Sequence, residues 1–229
     1  MAQEYTGENA EIIELLQGRT RQYSMLARLF RKEVTMKEIE EMQGMRFPVS
    51  TGNSYLDKGY RNLYEYLRSA WDNSVLELAV DYVRTFIGHG VNGYSAAYPF
   101  ESGYTSERRL MMQEARAEVL QTLRENNLKR GRWNEGEDHI AVELELMQIL
   151  NNRAIEALQK GNEDEAVVQL QKSLTFLNDH LLNWFPMMQA DMEKFSRTKF
   201  YQGLGYLTLG YLEVDKATLE ELLSDDSEN

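Results

Sequence analysis

Apolar residues recur at helical spacing along most of the chain. Ile12, Leu15, Leu16, Met25, Leu26, Leu29 and Phe30 share one side of a first amphipathic helix. Thr35 followed by Glu38 is a capping-box signature and predicts a short second helix ending near Gly44. The stretch from Phe47 to Asn53, with Pro48 and Gly52, reads as a loop. Helical patterning resumes over Leu56–Trp71 and again over Val75–Ile87, where Leu76, Val80, Val83 and Ile87 fall on one face.

Residues 88–105 break the pattern. Gly88, Gly90, Gly93, Pro99 and Gly103 interrupt the period, and Tyr94, Tyr98, Phe100 and Tyr104 crowd in. A loop this long inside a helical protein is uncommon, and is often functional where it occurs. A helix is expected over Glu107–Asn126, then a connector over Lys129–Asn134, then a helix from Glu137 to Gln159. Gly161-Asn162 signals a turn, and the next helix opens on Glu163, Asp164 and Glu165, as its dipole prefers. It should run to Phe185, with Pro186 starting a further helical segment. No stretch alternates as a strand does. The expected fold is all-α: a single-domain multi-helix bundle over residues 1–223, with a disordered acidic tail over 224–229.

Composition narrows the function classes. With three prolines in 229 residues, few helix breaks are forced. A net charge of −12 opposes docking on a phosphate backbone and favours basic partners, so no nucleic-acid partner is expected. Cysteine is absent, which removes disulfides, thiol catalysis and most zinc or iron–sulfur frameworks. The N-terminal residues are acidic and polar, with no basic region followed by an apolar core, and no apolar run approaches a membrane span. A cytoplasmic protein without membrane insertion is the expectation. Arg108-Arg109 lies mid-chain with no apolar core after it, so it is no export signal.

Two segments carry candidate chemistry. In Asp138-His139-Ile140-Ala141-Val142-Glu143, His139 and Glu143 lie four apart on one helix face, with Asp138 at the helix start. This is either a polar patch for a partner's backbone or basic side chains, or an acidic first turn that stabilises its own helix by roughly 0.3–1 kcal/mol. Phe176, His180 and Trp184 form an i, i+4, i+8 stripe, read as core packing or as a site. In the core, His180 needs an interior hydrogen-bond partner. A di-iron bundle needs Glu-x-x-His pairs, yet Gly136 and Leu177 stand three residues before His139 and His180. No phosphate-binding loop, nucleophile elbow or dinucleotide fingerprint is present. Neither a metal nor a cofactor is expected, nor any enzymatic activity.

Four patches in order resemble the TorD/DmsD/NarJ-type family of molybdoenzyme maturation chaperones. Asp81-Tyr82-Val83-Arg84-Thr85-Phe86 is similar to the family's Asp-Tyr-x-Arg-x-Phe helix, and Tyr98-Pro99-Phe100-Glu101-Ser102-Gly103-Tyr104 to its Glu-Ser-x-Tyr loop. Glu137-Asp138-His139 through Glu143-Leu144 and Met147 resembles its Pro-Asp-His-x-x-x-Glu-Leu-x-x-Met element, with Glu137 in place of the proline. Phe176, His180-Leu181 and Trp184 match its closing Phe…His-Leu-x-x-Trp. The resemblance covers roughly residues 76–190, and the first third of the chain fits only as generic helices.

The resemblance implies a cytoplasmic chaperone that binds the N-terminal, twin-arginine-type leader of a molybdopterin-dependent oxidoreductase. It would hold the apo client during folding and cofactor insertion and control its export, as a monomer or as a dimer made by exchanging helices. The expected peptide site is a groove between the 98–104 loop and the helix start, lined by Tyr98, Pro99, Phe100, Glu101, Ser102, Tyr104, Asp138, His139 and Glu143. Asp81, Arg84, His180 and Trp184 would support it from behind. Competing readings are a helical adaptor with another partner and a metal-dependent oxidase in a helical bundle.

Overall fold

A computed structural model describes residues 7–88, 96–108, 110–129 and 135–225. The expected tail beyond Asp225, Tyr94 with Gly90 and Gly93, and most of the 129–134 connector lie outside the described residues.

The described chain is helical: α1 (Gly7–Arg31), α2 (Met36–Gln43), α3 (Ser54–Arg68), α4 (Ser74–Tyr82), a π-helical turn Val83–Ile87, α5 (Ser102–Thr105), α6 (Glu114–Glu125), α7 (Ile140–Gln159), α8 (Glu163–Phe176), a second π-helical turn Leu177–Leu181, α9 (Leu182–Phe195) and α10 (Lys199–Asp225). No strand occurs among them; one isolated bridge joins Phe100 to His139. The all-α expectation therefore holds. One apolar cluster runs from Ile13 on α1 to Leu219 on α10, with Trp184, Tyr23, Tyr201, Phe30 and Phe185 as its largest buried members. Residues 224 and 225, expected in the tail, continue α10.

Helix pairing follows from small residues and from one buried ionic knot. α10 lies against α3 so closely that a Cβ on Gly59 would stand 2.5 Å from the Leu207 backbone nitrogen, and one on Gly210 would stand 2.5 Å from that of Leu56. α1 packs on α7, and α7 on α8. Arg19 of α1 donates to both carboxylate oxygens of Asp215 of α10 (2.6 and 3.0 Å) and to Asn151 of α7, while the Tyr23 hydroxyl donates to Asp215 Oδ2. The Thr35–Glu38 capping box forms as expected, and Gly161 takes a positive φ of 71° ahead of the Asn162 cap of α8.

Three elements depart from expectation. On α4 and its π turn the stripe Leu76, Val80 and Ile87 faces outward, 66%, 54% and 57% exposed. Leu78, Tyr82 and Phe86 are buried instead, because the two rings join an aromatic nest with Phe30 and Tyr201. α6 starts at Glu114 rather than Glu107; residues 106–108 and 110–113 are irregular, with Met112 at φ 63°. α7 starts at Ile140, so Glu137 and Asp138 precede the helix and His139 is its N-cap.

Candidate functional site

Sequence reasoning places a gap between the 98–104 segment and the start of α7. The structure closes that gap with backbone. Glu101 N–H donates to the Asp138 carbonyl (2.9 Å), and Ile140 N–H donates to the Pro99 carbonyl (3.0 Å). Two irregular segments with unused backbone groups satisfy each other, as buried backbone must. Asp138, expected to meet a partner's N–H groups, is fully buried and meets one inside the protein: its Oδ2 accepts from the Ser102 N–H (3.1 Å) and hydroxyl. The Ser102 hydroxyl in turn accepts from the Met112 N–H (2.9 Å), tying the strained Met112 backbone to this buried acid.

His139 is equally interior. Its Nδ1 accepts from the Ala141 N–H (3.0 Å), capping α7, and its ring stands edge-on to Phe100. Burial, with Arg31 adding to it, lowers its pKa to about 3, so the imidazole is neutral. Glu143, one helical turn on, is fully buried and accepts from the Trp184 Nε1–H (3.0 Å). Burial pushes its carboxyl well above the ordinary carboxylate range, and nearby Glu101 adds to this; the Trp184 bond opposes it. Tyr104, 9% exposed, stacks on Trp184 at 5.5 Å. Tyr98 and Phe100 are half-buried. The nine residues thus gather in one place, mostly as a wall rather than as an open lining.

The supporting residues divide. His180 finds the interior partner it needs: its Nδ1 lies 2.8 Å from Glu101 Oε2, and its ring stacks on Phe176 at 4.5 Å. The π turn from Leu177 to Leu181 carries it there. Trp184 is core. Asp81 acts elsewhere: it accepts from the Arg197 N–H and from the Thr198 N–H and hydroxyl (2.7–2.9 Å), satisfying the N-terminus of α10. Arg84 is exposed beside it, 3.9 Å from Asp81.

Open space lies on the other side of this wall. α6 buries Ala115, Val119 and Leu123 but stands off from α8 and α9, leaving two adjoining cavities that share Asp179. The first, of about 560 Å³, is lined by Glu101, Glu107, Glu114, Glu118 and Asp179, with Arg108 as the cation among its described residues. Leu110, on its rim, begins the exposed apolar run Leu110-Met111-Met112. The second, of about 380 Å³, is floored by Leu150, Phe176 and His180 and edged by Val168. The groove therefore has an acidic end and a more apolar end, and the Glu101–His180 pair sits between them. Glu114, Glu118 and Asp179 escaped sequence reasoning because isolated helix acids look like any solvated face. Among the described residues no group of three or more His, Asp or Glu side chains is arranged to hold a metal, and no helix is long and apolar enough to cross a membrane.

The described residues form a helical bundle with a buried polar wall beside an open acidic groove. Comparison with known proteins supplies the class. The chain matches the family described as nitrate reductase delta subunit over residues 53–190, the stretch holding every site segment above. It is 28% identical over 217 residues to a chaperone protein TorD from Photobacterium profundum, covering 91% of this chain and 97% of that protein. Chaperone proteins TorD from Aliivibrio fischeri (26% identical; 84% and 90% covered) and Shewanella piezotolerans (28%; 91% and 94%) align at similar levels. The chain belongs to the nitrate reductase delta subunit family, the TorD/NarJ type of maturation chaperone.

Proposed function

We propose that this protein is a cytosolic maturation chaperone for a molybdopterin-dependent oxidoreductase and that it holds the client's basic leader in the groove between α6 and α8–α9. The relatives' name supports the chaperone role. The observation that carries the leader assignment is the groove's division into an acidic end and an apolar end. A twin-arginine leader has a matching division: a guanidinium pair, then an apolar segment. Glu107, Glu114, Glu118 and Asp179 supply carboxylates for the guanidinium groups, and Arg–carboxylate pairs are the stronger class of hydrogen bond. The Leu110–Met112 rim, Leu150, Val168 and Phe176 supply apolar cover, with methionines able to adapt to varied side chains. Tyr98, Phe100, Asp138, His139, Glu143 and Trp184 act in this reading by holding Glu101 and the backbone at Met112 in place.

Calorimetry against leader peptides of the host's own molybdoenzymes tests this. Glu114→Lys with Glu118→Lys should weaken binding at least tenfold without changing the melting temperature, since both side chains are exposed, and wild-type affinity should fall as salt rises. If the double variant binds like wild type, the leader lies elsewhere. If no leader binds at all, the adaptor reading replaces this one.

A further inference from the structure

Behind the Glu101 carboxyl at the groove floor stand two more acids, Asp138 and Glu143, and all three are at least 98% buried. The groups facing them come from every adjoining element. His180, on the π turn, pairs with Glu101. Trp184, on α9, gives Glu143 a neutral N–H, and Ser102, on α5, does the same for Asp138 with its N–H and hydroxyl. Across the groove α6 presents Glu114 and Glu118, its Arg116 being engaged with Glu137; Asp179 borders the opening. His139 is neutral, and Arg31 of α1 acts on it. Besides His180, which is bonded to Glu101, the cations near the three carboxyls are Arg116, which is paired with Glu137 and acts on Asp138, and Arg31.

Two acids placed together away from water share a proton rather than both ionise. Glu143 Oε1 is buried without a hydrogen-bond partner, and burial together with the nearby Glu101 carboxyl raises the Glu143 pKa, so Glu143 is the acid of the cluster that holds its proton. We propose that a leader guanidinium docks over Glu101 in exchange for the proton held by the buried Glu143 behind it, which leaves to solvent. Peptide capture is then linked to pH. The cation favours the ionised Glu143, so affinity rises with pH wherever the free protein holds the proton and the complex does not. Glu143, which no peptide touches, would be a positioning and charge-setting residue. This inference rests on the leader-binding reading.

The experiment is calorimetry on the full chain with a synthetic peptide carrying Arg-Arg before an apolar stretch, in two buffers of different ionisation enthalpy, over a pH series. The expectation is release of about one proton per peptide, with affinity rising about tenfold per pH unit in that window. A Gln-Gln peptide should release none. Glu143→Gln keeps an acceptor for Trp184 and a donor toward Glu101 but cannot ionise; it should abolish both proton release and pH slope. Binding of the Arg-Arg peptide with no proton exchanged overturns the linkage and leaves the leader reading standing. Release that persists in Glu143→Gln and vanishes in His180→Gln assigns the proton to the imidazole and also overturns it. Failure of the Arg-Arg peptide to bind removes the leader reading, and this inference with it. The wild-type proton count stands even if the variant does not fold.

Discussion

His139 illustrates how burial changes what a residue does. A histidine before a run of helix residues reads as a ligand or a partner contact. Here its ring is 3% exposed, edge-on to Phe100, and spends its acceptor nitrogen on the Ala141 N–H. The unfolded imidazole takes a proton near 6.5, whereas the folded one does so at about 3. Between those values the unfolded state binds more protons, so stability falls as pH drops from 6.5, by up to about 1.4 kcal/mol per unit. His139→Asn retains an acceptor at the cap and removes the titration. Its urea midpoint should therefore fall less steeply than wild type's between pH 7 and pH 5; parallel slopes would contradict a buried neutral histidine. Glu143 works in the opposite direction. Its raised pKa costs stability as pH climbs through the folded value, because the buried carboxyl must then ionise.

Among elements, the α3–α10 pair is set by absent side chains. Alanine is the better helix former by about 1 kcal/mol, so a glycine inside α10 looks replaceable. At Gly210 it is not: the added carbon would meet the Leu56 backbone at 2.5 Å, and backbone cannot step aside. Gly210→Ala should lose about 1–3 kcal/mol in chemical denaturation. Gly205→Ala meets the flexible end of Met192 at 3.2 Å and should cost far less. Equal losses would mean that helix propensity, not close approach, governs α10. The π turns show the same dependence on context. Periodicity placed Leu76, Val80, Val83 and Ile87 on a core stripe, but the larger rings of Tyr82 and Phe86 took the interior and turned most of that stripe outward.

For the whole molecule, the Arg19–Asp215 pair joins the two ends of the chain, 196 residues apart, with Tyr23 and Asn151 completing the knot. Both side chains are almost wholly buried. Removing one partner strands the other charge in the interior. Asp215→Ala should cost about 3–5 kcal/mol, while Arg19→Met with Asp215→Leu should recover most of it, since two apolar groups leave no buried charge. Thermal melts of the single and double variants check this. A double variant as unstable as the single one would show that the hydrogen-bond knot itself carries the stability. On the same scale, the net charge of −12 has a local counterpart in the carboxylate-lined groove, where salt dependence of peptide binding should be felt.

Amino-acid order alone determined the helical class, the capping box at Thr35, the turn at Gly161, the four family patches and the acidic balance. These are local or summed properties, carried by neighbours within a turn or two. It also placed Phe176, His180 and Trp184 on one stripe and required a partner for the imidazole. What only the tertiary structure decided is which of those residues meets water. Asp138, His139 and Glu143 turned inward because the 98–104 backbone seals against the start of α7. The open acidic face came from Glu114, Glu118 and Asp179, on helices distant in sequence. Burial depends on what packs opposite a residue, and periodicity within one helix holds no record of the helix across from it.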